Sequence, residues 1–229
     1  MFFFDTNYLL LVLIPTMIIS GLAQLWLSSA FQKWGNTRNS LDLTGAAVGE
    51  RIKQSAGLTA VRFEGVEGRL SDHFDPAGNI VRMSQDVATK PSVAAMAIVA
   101  HELGHAQQYQ EKSPLIAVRS FLVPAMRFSP TVAYGLIVAG FLFNATGLIS
   151  LGILFFGVVV LFMLLTLPVE FDASRRGMKL LEQAGVMTTD DDSSGSRQVL
   201  TAAAMTYVAA FISSLLTLLY YISILQRRN

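Results

Sequence analysis

From Phe128 to Val169 the chain carries not one Asp, Glu, Lys or Arg. A helix needs roughly 20 apolar residues to cross a hydrocarbon core of about 30 Å. The run is about twice that length, so it reads as a hairpin of two spans. The break is supplied by "FNATG" (Phe143 to Gly147), where Asn144 and Gly147 are turn material between two apolar runs. The span ending near Phe143 has only a short apolar stretch after Pro130. A block from Tyr8 to about Ala30 is also long enough to cross, with no charge between Asp5 and Lys33. It reads as a retained span, because "MFFFD" lacks the positive start of a signal peptide and the apolar core is too long for one. Val199 to Leu225 forms a last block, and four spans are expected.

Composition agrees. Hydrophobic residues make up 52% of the 229 and charged residues 14%, against about 25% charged in soluble chains. A net charge of +1 gives no reason to expect nucleic acid. There is no cysteine, so neither disulfides nor Cys-ligated metals arise.

The soluble stretch runs from about Phe31 to Arg127. Within it, Leu43 to Gly57 reads as an amphipathic helix, with Val48 and Ile52 one turn apart and Gly57 as its stop. "AVRFE" and "NIVRMS" read as short strands separated by the Gly- and Asp-rich "GVEGRLSDHFDPAG". Pro91 suits a first helical turn, and the following helix is expected from Ser92 to about Gln110. A polar stretch, "GVMTTDDDSSGS" (Gly185 to Ser196), looks like a mobile loop. The expected segments are 1–30, an N-terminal span; 31–127, a soluble unit; 128–169, a membrane hairpin; 170–198, a polar segment; and 199–229, a C-terminal span.

The last helix of the soluble unit contains "HELGH". On a helix His101 and His105 share one face and can point both imidazoles at one ion, while Glu102 can reach a water there without ligating the metal. Gly104 between them allows another element to approach closely. A catalytic zinc commonly takes three protein ligands and leaves a fourth position for water. The third ligand is His73, Glu170 or a group outside the chain. His73 lies in "LSDHFDP", where a histidine is commonly a turn residue. Glu170 is the first charge after the long uncharged run, directly beyond Pro168, and an ionisable group at a membrane boundary is a functional hypothesis by default. The histidine pair and Glu170 can share an ion only on one side of the membrane, which requires the intervening block to cross twice. Its length and central turn argue for that independently, and Glu170 is preferred.

These stretches, "MFFFD", "LTGAAVGERI", "LSDHFDP", "HELGHAQQY", "LPVEFDASRRG" and "LTAAAMTYVAA", resemble the YugP-type membrane proteins, neutral zinc metallopeptidases, over almost the whole chain. The half with the histidines is similar, more distantly, to HtpX-like and CAAX-prenyl membrane proteases. The resemblance implies an integral-membrane gluzincin with zinc on His101, His105 and Glu170 and with Glu102 as base. The fold class it implies is mainly α, about four transmembrane helices with a small α+β zincin-like catalytic domain. One position departs from the more distant proteases, which tend to carry an acid four residues beyond the ligand Glu as support for a ligand His. Here that position is Ser174, with Asp172 nearby.

The expected function is membrane-embedded zinc proteolysis of membrane or membrane-proximal proteins. His73, Arg175 and Arg176 are candidates to stabilise the oxyanion, His73 first. The expected partners are a protein or peptide substrate and the lipid bilayer. Of seventeen Lys and Arg, eleven fall between Lys33 and Arg127 and four between Arg175 and Arg197. Positive charge near spans marks the cytoplasmic side. The expectation is a multi-pass protein of the cell (inner) membrane with a cytoplasmic site, although Arg227 and Arg228 oppose it. A rival reading is an inactive scaffold with a vestigial zinc site, against which the intact His101, Glu102, His105 and Glu170 argue. Another is a metal transporter, but the spans carry little polarity beyond Ser, Thr and Asn.

Overall fold

The computed structural model describes residues 6–228; the opening "MFFFD" lies outside them. The protein is mainly helical with one small sheet, and it forms two compact units. Among the described residues four helices are long and apolar enough to cross a membrane: α1 (Thr6–Gly35), α5 (Pro114–Leu142), α6 (Thr146–Gln183) and α7 (Asp190–Arg228).

One unit comprises the described residues within Met1–Gln24, Ala117–Pro168 and Thr206–Asn229. Its interior is thin. Val12, Ile137, Tyr220 and Tyr221 form one buried cluster, and Ala133, Phe156 and Val160 another. Leu11, Leu22, Phe121, Phe128 and Leu154 stand exposed, the surface expected where lipid and not water is the solvent. The hairpin breaks where Asn144 adopts a left-handed conformation (φ 54°), and α5 and α6 meet through Gly152, where an added Cβ would lie 2.9 Å from the Ala133 carbonyl oxygen. Helix α5 departs from expectation. It runs through Pro124 and Pro130 and begins at Pro114, because a proline at the first position lacks only an N–H that has no helical partner, and internal prolines are tolerated in spans.

The other unit comprises Leu25–Ile116 and Val169–Met205. Helix α2 (Gly45–Ser55) is capped by Thr44, whose side chain accepts from Ala47 N at 3.2 Å. It buries Val48 and Ile52 completely and ends before Gly57 at φ +68°. Three strands follow, β1 (Arg62–Val66), β2 (His73–Asp75) and β3 (Ile80–Ser84), in the order β1-β3-β2. β1 runs parallel to β3 with Phe63 opposite Val81, and β2 runs antiparallel to β3 with Phe74 opposite Val81.

β2 lies inside the segment read as a spacer. Three residues show no alternation, and tertiary pairing defines this strand: Arg82 Nη1 donates to Asp75 at 2.8 Å, and Ser84 N donates to Asp72 at 2.7 Å. A short helix α3 (Gln85–Thr89) precedes α4 (Val93–Gln110). Pro91 stands outside the helix. Ser92 is the cap, accepting from Ala95 N at 3.2 Å, and Lys90 is extended as the residue before a proline prefers. α4 is the centre of the core, with Val93, Ala94, Met96, Ala97, Val99, Ala100 and Leu103 fully buried.

The expected mobile loop is mostly helix. Thr189 Oγ1 accepts from Asp192 N, and the Asp192 carboxylate accepts from Thr189 N at 3.2 Å, a reciprocal cap that starts α7 inside the acidic run. Asp192 also takes the backbone N–H of Ser40 at 3.1 Å, and it is buried. Three acids in the first turn also favour a helix start through the macrodipole, a signal that polarity alone conceals.

Candidate metal centre

Helices α4 and α6 touch backbone to backbone. A Cβ on Gly104 would lie 2.5 Å from the Ala173 carbonyl oxygen, and one on Gly177 would lie 3.0 Å from the Ala100 carbonyl. Each helix offers small residues four apart, Ala100 and Gly104 on one, Ala173 and Gly177 on the other, and such pairs let helices approach closely. The consequence is chemical. Glu170, one turn before Ala173, is brought against the α4 histidines.

One carboxylate oxygen, Glu170 Oε2, lies 3.4 Å from His101 Nε2 and 3.5 Å from His105 Nε2. The ligand atoms of His101, His105 and Glu170 all fall within 4.8 Å of one another and could hold a metal ion. A tetrahedral zinc with bonds of about 2.0–2.1 Å has ligand atoms roughly 3.3–3.4 Å apart. Two neutral imidazoles and one carboxylate suit zinc. The donor set fits.

What aims the imidazoles is visible on their far sides. Gln108 is completely buried. Its amide nitrogen donates to Val169 O at 3.0 Å and to Asp172 Oδ2 at 2.8 Å. Both amide protons are thereby used, so Gln108 Oε1, 3.0 Å from His105 Nδ1, can only accept. Nδ1 of His105 therefore carries a proton, which leaves Nε2 as the ring nitrogen able to bind a metal. Asp172 is anchored in turn by Arg176 Nε at 2.6 Å and by Arg175, while Arg176 also pairs with Glu111 at 2.7 Å. On the other histidine, Ser174 Oγ lies 3.2 Å from His101 Nδ1. Position 174, where this chain departs from the more distant proteases, thus places a hydroxyl against a ring nitrogen of His101.

Burial disfavours the imidazolium of His105, but the Glu170 and Glu102 carboxylates outweigh it and hold its pKa above the ordinary value. Glu102 is buried on α4, and its charge is felt at His105. His73 is not part of the cluster. It sits exposed on β2 with Nδ1 2.8 Å from Ser71 O and Nε2 3.5 Å from Arg82 Nη1. Arg175 and Arg176 are held by Asp172. Gln108 is the residue that reading the motif alone overlooks. The available signal is its spacing, three residues beyond His105 on the same helix face.

The profile of a family described as "Putative neutral zinc metallopeptidase" matches residues 9–226. The "Putative membrane protease YugP" of Bacillus subtilis (strain 168) is 38% identical over 211 residues, covering 92% of this chain and 93% of that protein. No solved structure matches the chain. The matched region includes α4 and the part of α6 that bears Glu170, and on that extent the chain belongs to the neutral zinc metallopeptidase family.

Proposed function

We propose that this protein is a membrane metalloprotease that cleaves peptide bonds of membrane or membrane-proximal proteins. Its zinc would be held by His101, His105 and Glu170. The observation that carries this is the single Glu170 oxygen lying 3.4 and 3.5 Å from the two Nε2 atoms, beside an acid on the same helix that is not one of the three. When bound there, zinc lowers the pKa of water toward about 7 and polarises a carbonyl.

The chain's own residues do the rest. His101 and His105 act as neutral ligands through Nε2, the His105 ring oriented by Nδ1–H donating to Gln108 Oε1 and the His101 ring by the Ser174 hydroxyl at its Nδ1. Glu102 accepts a proton from the attacking water and delivers it to the nitrogen of the leaving amine. His73, on β2 outside the cluster, is the proposed donor to the developing oxyanion. The site faces the cytoplasm in this reading, supported by eleven Lys and Arg between Lys33 and Arg127. Substrates come from the membrane because Glu170 follows the apolar run along its own helix.

Zinc content and proteolysis, measured together on full-length protein, test the assignment. Glu170→Ala should lose zinc as fully as His105→Ala. Glu102→Gln should keep zinc and lose turnover by about 10²–10⁴-fold. His73→Ala should keep zinc and at most slow turnover. Full zinc occupancy in Glu170→Ala, or undiminished cleavage in Glu102→Gln, would sink the mechanism.

A further inference from the structure

Beyond the metal cluster, the same unit contains a groove of about 580 Å³ between the C-terminal half of α6 and the N-terminal half of α7. Three basic side chains line it, Arg175, Lys179 and Arg197, with Glu182 as the single acid. The helices follow one another through the turn around Gly185 and both line the groove, so distance along each helix from that turn orders its lining. Lys179, Glu182, Ser193 and Arg197 lie toward the turn. Phe171, Leu200 and Ala204 lie at the opposite end. Met178 and Met187 line the groove while packing on the core.

This gradient lines up with the chain's own apolar boundaries. The uncharged run that ends at Val169 stops two residues before Phe171, and the last apolar block begins at Val199, one residue before Leu200. The greasy end of the groove therefore stands where both helices turn apolar, and its cationic end stands on the polar side of that level. Charge complementarity and this order of chemistry describe an amphiphile with a negative head. We propose that the groove binds one anionic phospholipid, its phosphate between Lys179 and Arg197 and an acyl chain along Phe171, Leu200 and Ala204. Ser174, whose hydroxyl meets His101 Nδ1, also lines the groove, nearer its apolar end. The site does not depend on the protease reading, and a zinc-free or Glu102→Gln protein should bind the lipid equally.

Native mass spectrometry of full-length protein in neutral detergent tests it, with phosphatidylglycerol and phosphatidylcholine as probes. The wild type should retain one phosphatidylglycerol per chain and discriminate against phosphatidylcholine. Lys179 and Arg197 are exposed, so Lys179→Gln with Arg197→Gln leaves the core untouched. That pair should weaken retention on the order of 25-fold, from about fivefold for each basic side chain near an anionic lipid. Arg127→Gln with Arg227→Gln removes the same charge elsewhere and should change retention less than about twofold. A photoactivatable acyl chain should crosslink to Phe171, Leu200 or Ala204. Equal losses in both double variants would reduce the effect to general headgroup adsorption and overturn the site. So would crosslinks confined to other helices, or no retained lipid. Retention of a soluble acidic peptide in place of the lipid would reassign the groove to substrate docking.

Discussion

At the scale of single residues, the most consequential side chain outside the metal cluster is Gln108. Asn and Gln amides can flip, but this one cannot do so freely, since its nitrogen serves two acceptors, Val169 O and Asp172. Gln108→Leu keeps the volume and removes the acceptor for His105 Nδ1. Zinc affinity, measured by competition with a chromophoric chelator, should fall roughly 10–100-fold. An unchanged affinity would show that Gln108 does not orient the imidazole. Asp72 is a residue of the opposite kind, unrelated to the metal. Burial raises its pKa, and hydrogen bonds from Ser84 oppose that without cancelling it. A raised carboxyl pKa contributes stability that is present below the unfolded value and lost as pH rises through the folded one. The ionised form is therefore the costly one. Asp72→Asn should raise the unfolding midpoint relative to wild type more at about pH 7 than at about pH 3.5; a gap that is independent of pH would contradict the burial argument.

At the scale of elements, the contact that matters is α4 on α6. Gly177→Val should force the helices apart, costing roughly 1–3 kcal/mol of stability and lowering zinc occupancy. Gly157→Ala is the matched control, since nothing lies within 4 Å of its added Cβ; its stability should be unchanged or slightly higher. Equal zinc content in both variants would mean that the close approach at Gly177 does not position Glu170. How legible the elements are follows from where their stabilisation comes from. α2 and α4 carry their own caps, Thr44 and Ser92, and their own apolar spacing, so sequence announces them. β2 carries neither. It exists because Arg82 and Ser84 on β3 hold Asp75 and Asp72, partners that no local pattern reveals. The start of α7 was hidden for a different reason, because one Thr-to-Asp reciprocal cap turns a polar run into a helix.

At the scale of the whole molecule, four apolar helices make this a membrane protein, and the topology carries a direct test. Asn144 sits in the break before α6 and Gly185 in the turn after it, so an apolar helix separates them. A tag at Asn144 should be accessible from outside the cell, and a reporter after Gly185 should report the cytoplasm. Both markers on one side would remove the hairpin and with it the charge-based orientation.

The spans and the metal motif are one-dimensional facts. An uncharged run must be put out of water whatever it packs against, and two histidines four apart share a helix face by the geometry of the helix alone. Sequence by itself thus determined a multi-span chain with His101, Glu102 and His105 on one helix, and through the same-side requirement it singled out Glu170. Only the tertiary structure decided which atoms meet. The 3.4 and 3.5 Å approaches of Glu170 depend on Gly104 and Gly177 allowing two helix backbones to touch. The tautomer of His105 depends on Gln108 being held from α6, 61 and 64 residues away in the chain. Such contacts are set by packing between distant segments, and no spacing within either segment encodes them.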